Sequence, residues 1–192
     1  MKALLLTLFF IPPAFAQSPV PQRDGNLPVF RTVLDERPRV IVVRLGVEHA
    51  VAFDCENGIL WKAWQAPSGQ LPVKLEGAVY DGKHGPQPTS QGNYILTDEK
   101  PQLSCADPTA TLQYLGHSPQ PDGTAIIRWA FQNADHENLA VIAVLPSIEN
   151  DTITIHYKLE GDPSVEVTLR TPGSENTTQT LGTTATSVIL KN

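Results

Sequence analysis

From Val40 onward the chain is built of short apolar runs that alternate with a period of two and are cut by turn residues. Val40-Ile-Val-Val-Arg-Leu45 is rich in β-branched residues and predicts a strand. His49 to Asp54 alternates, with Ala50, Ala52 and Asp54 on one face and Val51 and Phe53 on the other. The short link Gly46 to Glu48 makes these two runs a hairpin. Cys55-Glu-Asn-Gly58 is a second turn, and Ile59-Leu-Trp-Lys-Ala-Trp64 a third run. Leu71 to Tyr80 reads as one long or two short strands, and Asn93 to Thr97 as a short one. The rhythm then becomes regular: Thr111–Leu115, Thr124–Phe131, Leu139–Leu145, Thr152–Leu159, Val165–Arg170 and Ser187–Lys191. Pro121-Asp-Gly123 and Gly161-Asp-Pro163 mark turns between them. No stretch keeps a helical period. About eleven short strands spaced in this way predict an all-β fold, an antiparallel β-sandwich, with a distorted barrel as the alternative.

The N-terminal third qualifies this picture. Lys2, the apolar run Ala3 to Ile11 and the small-x-small site Ala14-Phe-Ala16 read as a signal peptide over residues 1–16. An uncleaved anchor is the competing reading. Residues 17–26 are Pro-rich and polar, a flexible arm. Residues 27–192 make one domain, in which Leu27 to Leu34 is apolar enough to dock on the rest and Asp35 to Arg39 is a turn. The expectation is a periplasmic or secreted protein without membrane insertion, since no second apolar run approaches the roughly 18 residues a membrane helix needs.

Composition narrows the partners. The 192 residues carry 14 Lys and Arg against 20 Asp and Glu, a net charge of −6. That argues against nucleic acid as a partner, because phosphate backbones reward basic patches. An apolar fraction of 41% separates this turn-rich chain from a disordered one. Cys55 and Cys105 form an even pair in an exported chain, which favours a disulfide contributing roughly 4 kcal/mol in the chain-entropy model. Two separate thiols are the alternative. Neither the two cysteines nor the scattered His49, His84, His117, His136 and His156 show metal-ligand spacing, and no cofactor is implied.

One loop concentrates the remaining chemistry. Gly82 and Gly85 flank Lys83 and His84, and Pro86 and Pro88 stiffen the exit. Tyr80, Asp81, Lys83, His84 and Gln87 form a candidate polar rim for a ligand. Trp61 and Trp64 point to opposite faces of a regular strand, so one is expected in the core and the other is a candidate stacking platform. The competing reading packs both in the core.

Phe30-Arg-Thr-Val-Leu-Asp-Glu-Arg-Pro-Arg39, Ala50-Val-Ala-Phe-Asp54, Gly58-Ile-Leu-Trp-Lys-Ala-Trp64, Glu76-Gly-Ala-Val-Tyr80 and His84-Gly-Pro-Gln-Pro-Thr-Ser90 carry a resemblance. Over roughly residues 29–92 the chain resembles the β-rich region that precedes the haem domain in exported c-type cytochrome-like proteins of Planctomycetes, Verrucomicrobia and related bacteria. No Cys-x-x-Cys-His occurs here, so electron transfer through covalent haem is not implied. What the resemblance implies is an accessory domain in a setting of sugar or polymer breakdown. Three functions follow as expectations: a non-catalytic module binding carbohydrate, another small-molecule ligand or a redox partner protein; a sugar-active enzyme of epimerase or lyase type with His84 as acid/base; and a structural domain docking an exported protein partner.

Overall fold

The computed structural model describes residues 28–75 and 87–190. The expected signal peptide and arm, and Tyr80, Asp81, Lys83 and His84 of the expected rim, lie outside the described residues. The chain is all-β. Its strands in order are β1 (Val29–Leu34), β2 (Arg37–Leu45), β3 (His49–Asp54), β4 (Ile59–Gln65), β5 (Val73–Leu75), β6 (Pro88–Ser90), β7 (Asn93–Thr97) and β8 (Leu103–Cys105). There follow β9 (Thr111–Pro119), β10 (Ala125–Gln132), β11 (Asn138–Glu149), β12 (Thr152–Glu160), β13 (Val167–Arg170), β14 (Thr178–Thr180) and β15 (Thr186–Leu190). Among the described residues no helix is long and apolar enough to cross a membrane.

Two five-stranded antiparallel sheets form the sandwich, ordered β1-β2-β3-β4-β7 and β15-β12-β11-β10-β9. A three-stranded sheet, β14-β13-β8, and a two-stranded ribbon, β5-β6, accompany them. Neither large sheet closes on itself, so the barrel alternative does not hold. Among the described residues fifteen strands stand where the pattern predicts about eleven. The surplus lies mainly in three-residue strands such as β6, β8 and β14, which are too short to show a two-residue alternation.

Alternation builds the main core. The first sheet contributes Ile41, Val43, Val51, Phe53 and Leu60, and the second Ile127, Trp129, Ile142, Val144, Ile153, Ile155 and Tyr157. Leu103, Val167 and Leu169 of the three-stranded sheet join the same cluster. The outer face of the first sheet buries a second cluster, in which Leu34, Val40, Val42, Ala50 and Ala52 pack with Trp61, Trp64 and Val73. Val73 belongs to the β5-β6 ribbon, which places that ribbon over this outer face.

Buried and partly buried polar contacts join the sheets. Gln102 Nε2 donates to Leu60 O at 3.0 Å while its Oε1 accepts from Leu60 N at 2.9 Å, copying a strand ladder with a side chain. Arg170 Nη2 reaches both Asp98 oxygens, at 3.0 and 2.9 Å, and Gly173 N donates to Asp98 Oδ2 at 2.8 Å. Burial raises the Asp98 pKa, but the hydrogen bonds from Gly173, Lys100 and Arg170 outweigh it and leave the carboxyl below its ordinary value.

The expected disulfide is not formed: Cys55 and Cys105 are free thiols. Cys55 is buried in the main core, where loss of solvation pushes its pKa up to about 11. Cys105 ends β8 and turns its Sγ to the Asp107 carbonyl at 3.2 Å.

Candidate ligand-binding site

The site grows from the turn between β1 and β2. Asp35 and Glu36 both have positive φ, 46° and 69°, the conformation that a two-residue hairpin with right-handed twist requires. Asp tolerates it better than most side chains, and here the carboxylate is used. Its Oδ1 accepts Ser90 N at 2.9 Å, and its Oδ2 accepts both Lys62 Nζ at 2.6 Å and the Ser90 hydroxyl in a short contact. Because Ser90 Oγ donates to Asp35, it accepts from Tyr94 Oη, 2.7 Å away. Burial raises the Asp35 pKa, yet the bonds from Lys62 and Ser90 prevail and hold it below its usual value. Asp35 N also donates to Pro88 O at 3.2 Å. Asp35 thus fixes strand β6, the point where the chain returns from residues 76–86.

Lys62 is the second hub. Its ammonium lies 4.2 Å from the Trp61 ring centroid and 4.9 Å from that of Tyr94. A desolvated cation against two aromatic faces is a favourable arrangement. Trp61 is covered from another direction by Arg37, whose guanidinium carbon lies 4.7 Å from the ring centroid. Arg37 also bridges Asp54 at 2.9 Å and Glu99 at 2.6 Å, while Trp61 Nε1 donates to Glu99 Oε1 at 2.6 Å. Trp64 Nε1 donates to Pro72 O at 2.6 Å.

The two tryptophans do not take opposite faces. Phe53 pairs with Leu60 and Ala52 with Lys62, which leaves Trp61 as an extra residue in β4. This bulge shifts the alternation, so that Trp61 and Trp64 both join the outer cluster although they are three residues apart. They are 5% and 0% exposed, and neither offers an open ring face. The accessible aromatic is Tyr94. It pairs with Trp64 across β4 and β7, shares its face, and is 52% exposed. Gln87 is exposed at the start of β6. The side-chain pair between Gln91 and Gln70 adds amides beside it, whereas Asn93, exposed and next to Tyr94 in β7, pairs with Gln65 and faces the other side of the sheet.

Sequence reading missed Tyr94, Lys62, Asp35 and Ser90. The only signal for Tyr94 was an aromatic in a short strand just after Gly92. The meeting of Asp35 with Ser90 spans 55 positions and depends on register. Chemically, the network is one of fixed donors and acceptors. Among the described residues it contains no histidine, and no group of three or more His, Cys, Asp or Glu is placed to hold a metal ion. The chain matches no protein-family model, no curated protein and no solved structure.

Proposed function

We propose that this protein is an exported, non-catalytic accessory domain that binds a polyhydroxylated ligand, carbohydrate foremost, at the edge formed by β6 and β7. One observation carries the reading: Tyr94 is half exposed while its hydroxyl is anchored by Ser90 and its ring is backed by the partly buried Lys62. A ring fixed in this way loses little freedom on stacking against the apolar face of a sugar. The exposed Gln87 and the paired Gln91 and Gln70 supply amide donors and acceptors of the kind that pair with hydroxyl groups. The engaged state of Asp35, Ser90 and Lys62 favours recognition over proton transfer, because each polar atom already serves the frame. The signal-like N-terminus and the resemblance to cytochrome-associated regions support export and a setting of polymer breakdown.

The test is a screen of neutral and acidic oligosaccharides against the chain from Gln17 onward, with Tyr94→Ala and His84→Ala alongside wild type. Tyr94→Ala is expected to weaken any hit by about tenfold or more, the loss of one stacked aromatic. If His84→Ala weakens it equally, the loop rim read from sequence belongs to the same site. A hit indifferent to Tyr94→Ala excludes this location.

A further inference from the structure

A second site lies on the open side of the sandwich, where β1 and β9 are the edge strands of their sheets. A cavity of about 400 Å³ opens there, lined by Arg31, Arg39, Cys55, Glu56, Leu112, Gln113 and Tyr114. Its volume falls within the range of small-molecule pockets. Its chemistry follows from strand register. Arg31 pairs with Ile41, a core residue, so it points to the inner side of the sandwich and meets solvent only because β1 is an edge. On the facing sheet, Leu112 pairs with Phe131 and Tyr114 with Trp129, so both also point inward. A bulge leaves Leu115 as the extra residue of β9 and carries His117 to the same side. His117 Nδ1 therefore reaches Tyr114 Oη at 2.8 Å and fixes the ring.

Arg31 holds its guanidinium 5.8 Å from the Tyr114 ring centroid. It forms no ion pair among the described residues, whereas its neighbour Arg39 pairs with Glu56 at the rim. Burial raises the pKa of Tyr114 to about 12 and of Cys55 to about 11, so neither adds negative charge at neutral pH. Arg31, Arg39 and Glu56 together leave one surplus positive charge in a chain of net charge −6. A guanidinium stacked on a tyrosine, with a free fork and an apolar wall, matches a planar anion.

We infer that this cleft binds a small organic carboxylate, its carboxylate on the Arg31 fork and its flat body between Leu112 and Tyr114. The inward pointing of an arginine over a ring fixed by His117 is the decisive juxtaposition. The site is separate from the Tyr94 edge, since β1 and β7 are opposite edges of the first sheet.

Trp129 lies 5.9 Å from Tyr114, edge-on, so its fluorescence and the Tyr114 amide signal report occupancy. The probes are benzoate, its neutral analogue benzyl alcohol, and inorganic phosphate, titrated into the full chain and into Arg31→Ala and Arg31→Lys. Saturable binding of benzoate is expected, with about tenfold or greater weakening in Arg31→Ala and in benzyl alcohol, and partial weakening in Arg31→Lys. Arg31 is exposed, so its variants keep the fold, which the near-ultraviolet circular dichroism verifies. Absence of saturable benzoate binding, or a response unchanged in Arg31→Ala, overturns the proposal. Phosphate binding as tightly as benzoate overturns the planar carboxylate in favour of an unselective anion site.

Discussion

Asp35 shows how one residue joins a turn, a strand and a site. Its positive φ of 46° costs backbone energy that a glycine there would avoid, but glycine has no carboxylate for Ser90 and Lys62. Asp35→Asn keeps the shape and removes the charge. The Lys62 ammonium, 11% exposed at its side chain, is then left without its counter-charge. The expected loss at neutral pH is about 1–3 kcal/mol, read by chemical denaturation. The pH dependence has a definite sign. A carboxyl whose folded pKa is lowered stabilises the fold above its unfolded pKa, about 3.9, and that contribution disappears as pH falls through the lower folded value. The gap between wild type and Asp35→Asn should therefore be full at pH 6–7 and shrink below about pH 4. A gap independent of pH would show that Asp35 acts through shape alone. None of this was legible in the sequence, where Asp35-Glu-Arg-Pro-Arg39 reads only as a turn.

At the level of elements, the strands with strong alternation were legible and the irregularities were not. His49–Asp54 and Asn93–Thr97 are strands with the bounds that the pattern predicts. Ile59–Trp64 is extended by one residue to Gln65. Strand β8 hides in the polar, Pro-containing stretch after Asp98, because it is only three residues long. The bulge at Trp61 depends on which residue of β3 faces which of β4, and that is a property of two strands together. It set both tryptophans on one buried face, as the competing reading has them packed, and the exposed aromatic of that face is Tyr94 of β7. Gly92 is the element-level counterpart. At φ +132° it lies so close to β4 that an added Cβ would stand 2.0 Å from Gln65 O and 2.7 Å from Ala66 Cα. Gly92→Ala must push β6 and β7 away from β4, with an expected cost of about 1–3 kcal/mol or more and reduced ligand binding at Tyr94. Gly46, also at positive φ but with nothing within 4 Å, is the control. Gly46→Ala should cost about 1 kcal/mol and leave binding unchanged. Equal losses at the two positions in thermal unfolding would mean that backbone conformation, and not the close approach, sets the need for glycine.

For the molecule as a whole, two sheets with open edges create the places where function can sit. The apolar interior joins both sheets and the three-stranded sheet, and is ordered by ordinary alternation. The outer face of the first sheet is less usual, because it too is buried, under the β5-β6 ribbon and two tryptophans. That second cluster converts a solvent face into a rigid base for β6 and β7. The all-β class followed from the sequence because apolar periodicity is a local property. The site did not, because Asp35, Lys62, Ser90 and Tyr94 are brought together only by pairing across the sheet. The most direct measurement is a nuclear magnetic resonance titration of the isotopically labelled protein with the best oligosaccharide from the screen, following the Tyr94 ring, the Gln87, Gln91 and Gln70 side-chain amides and the three indole N–H signals. The account predicts saturable shifts of Tyr94 and its neighbouring amides, while the indole of Trp129 in the core stays in place. Shifts that spare Tyr94, or no saturable shift with any oligosaccharide, would contradict it.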